Sequence, residues 1–222
     1  LNLSKSFEFF DPSKYKDMIH IIGCGSVGST VAELLARHGC EKFTLYDFDI
    51  VEPKNIANQM FIQKQVGMLK TAAVTEIIQS INPEAKVYTY EEGWTDQPLD
   101  GYVFLAVDNI EVRKSIVKSN LYNEYVKAMF DFRTGLTDAQ HYAADWFDFQ
   151  SRKNFMNTMN FSHDEVQTVR SACNVELCVA PTVRLICNVG VANFINFLKG
   201  EKLYKIVSVD AFNLDKGIDA VR

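Results

Sequence analysis

Apolar and polar residues recur along this chain with two periods, and the places where the period changes divide it into strands and helices. Residues 18–22, Met-Ile-His-Ile-Ile, form a short β-branched run that stops at Gly23, the pattern of a strand buried in a parallel sheet. Over residues 26–38 the apolar positions Val27, Val31, Leu34 and Leu35 recur at helical spacing, and Gly39 stands where a C-terminal capping glycine belongs. Residues 42–46 predict the next strand, which delivers Asp47 at its carboxyl end. The helical period returns over residues 67–81 and stops at Asn82-Pro83, because the residue before a proline is pushed out of helix. Strands over 85–90 and 102–107, a helix over 108–122 and a strand over 125–132 continue the order. That order predicts an α/β fold: a Rossmann-like, doubly wound, mostly parallel sheet.

After Gly135 the grammar changes. Residues 141–149 alternate apolar and polar with no helix behind them, which predicts antiparallel strands appended to the parallel sheet. Residues 151–172 are polar, with Asn154, Asn157 and Asn160 among aromatics and methionines, and read as a long crossover loop on the surface. Residues 183–198 are helical and apolar nearly all round, the mark of a core helix or of a homodimer interface. Residues 202–212 read as the closing strand. Without repeats or a linker, the 222 residues read as one domain, with residues 1–17 as an N-terminal extension.

Composition narrows the function classes. At 47% hydrophobic and 23% charged residues, the chain has material for a packed core, which excludes a disordered or low-complexity scaffold. Its longest apolar stretch, residues 189–198, is broken by Asn193 and Asn196, so no membrane span is expected. The first ten residues lack the basic start and apolar run of a secretory signal. A net charge of −5 with dispersed basic residues disfavours nucleic acid as the main partner. The 5 cysteines are an odd number, which points to reduced thiols in the cytoplasm. Cys173 and Cys178 have no second pair with which to complete a structural zinc site.

The candidate chemistry starts at Gly23-Cys24-Gly25-Ser26-Val27-Gly28, between a predicted strand and a predicted helix. In that context the first glycine permits the tight turn, the second lets the backbone approach a phosphate, and the third allows close helix packing. Asp47, about twenty residues on, is placed to accept hydrogen bonds from ribose hydroxyls. These features alone make NAD the first expectation, that of an NAD-dependent Rossmann enzyme. The residues that follow extend the pattern: Asp47-Phe-Asp49-Ile-Val51, Asn55-Ile-Ala-Asn58-Gln59, Lys70 in the next helix, and Asp108 with Arg113. Near the end, Cys173-Asn-Val-Glu-Leu-Cys-Val-Ala-Pro181 precedes the long apolar helix.

This series resembles the ubiquitin-activating-enzyme-like superfamily, which holds the thiamine and molybdopterin sulfur-carrier adenylyltransferases and the activating enzymes of ubiquitin-like proteins. The likeness runs from about Ile19 to Gly200. It implies a usually dimeric Rossmann-like protein that uses ATP and Mg²⁺ to adenylate the C-terminal carboxylate of a small ubiquitin-like or sulfur-carrier protein. By the same resemblance, Lys70 stabilises the phosphates, Asp108 holds Mg²⁺ through ATP, Asn55 contacts the phosphates and Asp47 holds the ribose. Asp49, Asn58 and Gln59 fall in the nucleotide-binding motifs, and Cys173 stands where some members carry a cysteine that accepts the activated carrier. The chemistry agrees: joining a carboxylate to a phosphate brings two anions together, so the site must neutralise charge at phosphorus and on departing pyrophosphate.

Taken singly, each residue also has a plain reading. Lys70 fits a solvated helix residue, Asp108 a helix N-cap paired with Glu111, Asp49 a turn, Asn55 a cap, Arg113 a surface salt bridge and Cys173 a buried small hydrophobe. Two departures stand out. Asn58 occupies a position where the family normally has an arginine, and no arginine precedes Arg37. They leave open a non-catalytic ATP- or partner-binding protein of the same family. Adenylation of a tRNA-linked carboxylate, known in one branch, fits poorly with the acidic net charge.

Overall fold

The computed structural model describes residues 1–162, 177–213, 215 and 218–221. The first half alternates strand and helix: β1 (Ile19–Ile22), α1 (Ser26–Arg37), β2 (Lys42–Tyr46), α2 (Lys70–Ile81), β3 (Lys86–Tyr90), β4 (Gly101–Leu105), α3 (Ile110–Ser119) and β5 (Val126–Thr134). There follow β6 (Asp138–Asp145), α4 (Phe149–Asn157), α5 (Ala180–Leu198), β7 (Ile206–Asp210) and β8 (Ile218–Val221). The eight strands form one sheet in the order β3-β2-β1-β4-β5-β6-β7-β8. The pairs from β3 to β5 are parallel, and those from β5 to β8 are antiparallel. The doubly wound parallel sheet with appended antiparallel strands is therefore observed as expected.

Both faces of the parallel half are covered, which is why its strands read as continuous apolar runs. Alternate residues divide between two cores. Ile19 and Ile21 of β1, Tyr102 and Phe104 of β4, and Phe130 and Phe132 of β5 pack with α1, α2 and α5. Ile22, Val103, Leu105 and Met129 point the other way, into a core shared with α3 and α4. Phe104, Phe130 and Phe194 of α5 meet at centroid distances of 4.9, 5.2 and 5.3 Å in stacked and edge-on pairs, adding to their burial. The backbone of α5 passes closely over the sheet at Gly190, where a Cβ would stand 2.2 Å from the Phe132 ring. The inner side of α5 is thus core of its own chain.

Three expectations are corrected. The crossover loop expected over residues 151–172 begins as helix: α4 runs from Phe149 to Asn157, and residues 163–172 lie outside the described set. Asp148 caps it by accepting from the Gln150 N–H at 2.9 Å, and Phe155 buries itself edge-on against Trp146. The closing strand is β7, shorter than predicted, and a further strand, β8, pairs with it. Helix α3 starts two residues later than expected, with Asn109 as its N-cap in place of Asp108.

Candidate nucleotide and carboxylate-activation site

From β1 the chain continues to β2 on one side, while β4 lies on the other, so the loops leaving β1 and β4 diverge and open a crevice between them. A cleft of about 410 Å³ lies there, lined by residues that include Gly23, Gly25, Ser26, Asp47, Lys70 and Asp108. Its floor is the glycine turn. Gly23 has φ +94°, and a Cβ on it would stand 2.7 Å from the Ala106 carbonyl, so the turn can press against the end of β4 only without a side chain. At Gly28 a Cβ would fall 1.8 Å from the Gly23 oxygen, whereas at Gly25 it would meet nothing within 4 Å. Gly25 therefore faces open space in the cleft, the approach a ligand's phosphates require. As N-cap of α1 it makes no side-chain capping bond, leaving first-turn amides available to an anion.

Asp47 ties the second loop to the first. One carboxylate oxygen accepts from the Cys24 N–H at 2.6 Å, and the other from the Asp49 N–H at 2.8 Å. Burial raises its pKa, while those backbone bonds and the Lys70 charge oppose the rise. Each oxygen still has a free lone pair with which to accept a hydroxyl.

Lys70 is not a solvated helix residue. It opens α2, its backbone N–H donates to the Asp49 carbonyl at 2.9 Å, and its ammonium donates to an Asp49 carboxylate oxygen at 2.6 Å. Its side chain is 10% exposed, against 51% for that of Asp49, so a nearly buried cation is held at the cleft by a carboxylate at the rim. Asp108 is exposed at the cleft wall, with no hydrogen bond or ion pair among the described residues. The helix cap falls to Asn109, whose side-chain oxygen accepts from Glu111 and Val112 N–H groups at 2.8 and 3.3 Å. That leaves the Asp108 carboxylate available to the cleft.

The asparagine motif divides. Gln59 lines the cleft with a buried side-chain oxygen that has no hydrogen-bond partner. Asn55 and Asn58 stand behind it. The Asn55 oxygen accepts from the Glu52 N–H at 2.8 Å and braces its own 3-10 turn, Pro53–Ala57, while Asn55 itself is not among the residues lining the cleft. Asn58 donates to the Cys178 carbonyl at 3.4 Å, and its own side-chain oxygen is buried without a partner. Cys173 lies outside the described residues.

Three features escaped the sequence reading. Glu92, Gly93 and Trp94, from the loop after β3, form a wall of the cleft, and no spacing rule links them to the glycine turn. Cys178 is the one cysteine among those described that is not buried, and its sulfur lies 3.8 Å from the Ser26 hydroxyl at the start of α1. Arg113 is buried, not a surface partner: it reaches the Val107 and Phe132 carbonyls and the fully buried carboxylate of Asp131. Its signal was present, since Ile110, Arg113, Ile116 and Val117 fall on one helical face.

The donor set fits ATP and Mg²⁺. An open glycine floor, uncapped helix amides and a buried ammonium suit a polyphosphate. A free carboxylate suits a metal ion that keeps most of its ligands as water and phosphate oxygens. Among the described residues no cluster of three or more metal-ligating side chains exists, so a site built entirely from protein groups is absent there.

Fold and cleft together define a doubly wound α/β protein with an open crevice at the switch point of its sheet. A ThiF family model matches residues 15–218, and the chain belongs to that family. It is 43% identical over 72 residues to ubiquitin-like modifier-activating enzyme 5 of Oryza sativa subsp. japonica, covering 32% of this chain and 17% of that protein. To the Drosophila melanogaster protein of the same name it is 32% identical over 135 residues, covering 52% of this chain and 32% of the relative. A tRNA threonylcarbamoyladenosine dehydratase of Haemophilus influenzae is 36% identical over 107 residues, 45% of this chain and 41% of its own. The chain thus spans less than half the length of these curated relatives. Among solved structures, E. coli MccB with ATP superposes with a TM-score of 0.68 at 18% identity, covering 94% of this chain and 64% of that one. PaaA gives a TM-score of 0.69 at 16% identity, covering 91% and 62%. These two likenesses establish the shared fold.

Proposed function

We propose that this chain binds Mg·ATP in the cleft and adenylates a carboxylate, that of the C-terminal glycine of a ubiquitin-like or sulfur-carrier protein. The observation that carries this reading is the placement of a nearly buried Lys70 and an unpartnered Asp108 on one cleft floored by the open Gly25 turn. A dehydrogenase using only the turn and Asp47 would give neither residue work to do. In the reaction a carboxylate oxygen attacks the α-phosphorus of ATP and forms the acyl–phosphate bond. The bond from that phosphorus to the bridging oxygen breaks, and pyrophosphate leaves with the electron pair.

Each residue has a defined part. The α1 amides and Gly25 cradle phosphates, Asp47 accepts from the ribose hydroxyls, and the Gln59 amide nitrogen donates to the phosphate end. Lys70 supplies a compact positive charge that can follow oxygens as they move, while Asp49 holds it in place. Asp108 would hold Mg²⁺, which when bound adds positive charge opposite the departing pyrophosphate. With the reading go a homodimer and a cytoplasmic setting, in keeping with the free thiols of Cys24, Cys40, Cys178 and Cys187. Support from relatives is at family level: activating enzymes of ubiquitin-like modifiers match part of the chain, and MccB was solved with ATP.

Asn58 at the family's arginine position favours one rival, a protein that binds ATP without turning it over. ATP–pyrophosphate exchange separates the two. Incorporation of labelled pyrophosphate into ATP, dependent on a peptide ending in Gly-Gly and lowered roughly 10²–10³-fold in Lys70→Gln, is the expected result. ATP binding with no exchange against any carboxyl-terminal peptide or carrier tested selects the silent protein.

A further inference from the structure

A buried polar cluster lies behind the cleft wall. Asp131 on β5 has 0% of its side chain exposed and is gripped by two arginines. Arg113 of α3 bonds one carboxylate oxygen, and Arg133 donates to the other from Nε at 2.7 Å. Other guanidinium N–H groups are engaged too. Arg113 donates to the Phe132 carbonyl at 2.7 Å, while Nε, at 2.7 Å, and its second terminal nitrogen both converge on the Val107 carbonyl. Arg133 donates to the carbonyl and hydroxyl of Thr158, at the end of α4, at 2.7 and 2.8 Å, with its guanidinium 4.1 Å from the Tyr142 ring centre.

Val107 immediately precedes Asp108 and itself lines the cleft. The Asp108 side chain makes no contact that would fix its direction, so the backbone of the β4–α3 turn must aim it. Two nitrogens on one carbonyl, anchored to a carboxylate that cannot move, hold that turn in a way a lysine's single ammonium could not reproduce. We propose that Arg113, locked by Asp131 and Arg133, is the positioning residue that sets the turn presenting Asp108 to the metal. The inference rests on the reading of Asp108 as the Mg²⁺ carboxylate. It adds the means by which that carboxylate is aimed and places the anchor on β5, outside the nucleotide motifs.

Arg113→Lys keeps a positive charge beside Asp131 and loses the fork. Calorimetry with ATP, once with Mg²⁺ and once with EDTA, gives the metal-dependent gain in affinity. In Arg113→Lys that gain is expected to fall roughly 10–100-fold, with metal-free ATP binding little changed, as for other groups behind a metal ligand. Combined with Asp108→Asn, the variant is expected to lose no more than Asp108→Asn alone. Equal weakening with and without Mg²⁺, or full additivity with Asp108→Asn, would mean a merely structural ion pair and overturn the proposal. Arg133→Lys, at the outer end of the cluster, is expected to move the gain the same way and less, and serves should Arg113→Lys fail to fold; no change in it would also overturn the proposal. A nucleotide-free readout separates this inference from the adenylation reading. Amide exchange at Glu111 and Val112, whose N–H groups donate to the Asn109 side chain across this turn, is expected to quicken in both variants of the unliganded protein, and wild-type rates there would overturn the positioning role whether or not the chain binds ATP.

Discussion

His141 is fully buried between β6 and α5, with its Nδ1 3.2 Å from the Asp131 carbonyl and its Nε2 3.2 Å from the Asn193 amide nitrogen. Asn193 also donates to the Tyr204 carbonyl at 2.8 Å, so it is the donor to Nε2 as well, and the imidazole is neutral with its proton on Nδ1. Burial pushes the His141 pKa down to about 4 from 6.5. The unfolded chain therefore takes up a proton below about pH 6.5 that the folded chain refuses until about pH 4. The stabilisation is complete above pH 6.5 and is lost as pH falls through that window, amounting to roughly 3 kcal/mol. Urea unfolding at pH 7 and pH 4.5 measures it, and the loss on acidification is expected to be smaller in His141→Phe than in wild type. Burial lowers the pKa of His20 as well, so part of the acid sensitivity should survive in that variant. The same acid sensitivity in both proteins would contradict the assignment. At this scale the sequence disclosed glycines and acids set by spacing, such as Gly23, Gly28, Asp47 and Asp108. It disclosed least where a polar group is satisfied by a distant partner: nothing local links Arg113 to Asp131, eighteen residues on, or His141 to Asn193.

Among elements, those with a strong period were legible, and those whose identity depends on neighbours were not. Helix α1 begins at Ser26 and ends before Gly39 as its apolar spacing required, because one face packs on the sheet. Helix α4 was obscured because only Ser151 and Phe155 of its residues are buried, so burial leaves little mark on its composition. The extra strand β8 owes its place to pairing with β7, a contact that no local pattern specifies. The loop after β3 belongs to the same class. It contributes Trp94, whose indole N–H donates to the Gln97 carbonyl at 3.0 Å and which stands on the cleft wall with Val112. The chain has 2 tryptophans, and the other, Trp146, is fully buried in the core. Nucleotide entering the cleft is therefore expected to change intrinsic fluorescence through Trp94 alone. Titration with ATP of wild type and Trp94→Phe checks this: the response should vanish in the variant while binding measured by calorimetry persists. An undiminished response would place the nucleotide away from the β3 loop.

For the whole molecule, the decisive feature is the arrangement of strands. Because β1 has β2 on one side and β4 on the other, three loops far apart in sequence bring a glycine turn, an acid and a second acid to one crevice, and α2 adds the lysine. That convergence follows from the doubly wound order, which the alternation of short apolar runs and helical periods already specified. The turn toward antiparallel pairing after β5 was legible in the alternation of β6. Where the polar side chains meet was not, since a motif fixes the order of residues and only the packed fold fixes which of them face the cleft; Gln59 does, and Asn55 does not. The proposed function stands on Asp108 and the glycine turn forming one Mg·ATP site. Calorimetric titration of Mg·ATP and, separately, of NAD into wild type and Asp108→Asn tests it most directly. Mg-dependent ATP binding, weakened roughly 10-fold or more by Asp108→Asn, is expected, with no comparable binding of NAD; ATP affinity indifferent to Mg²⁺ and to Asp108→Asn, or tighter binding of NAD, would rule such a site out.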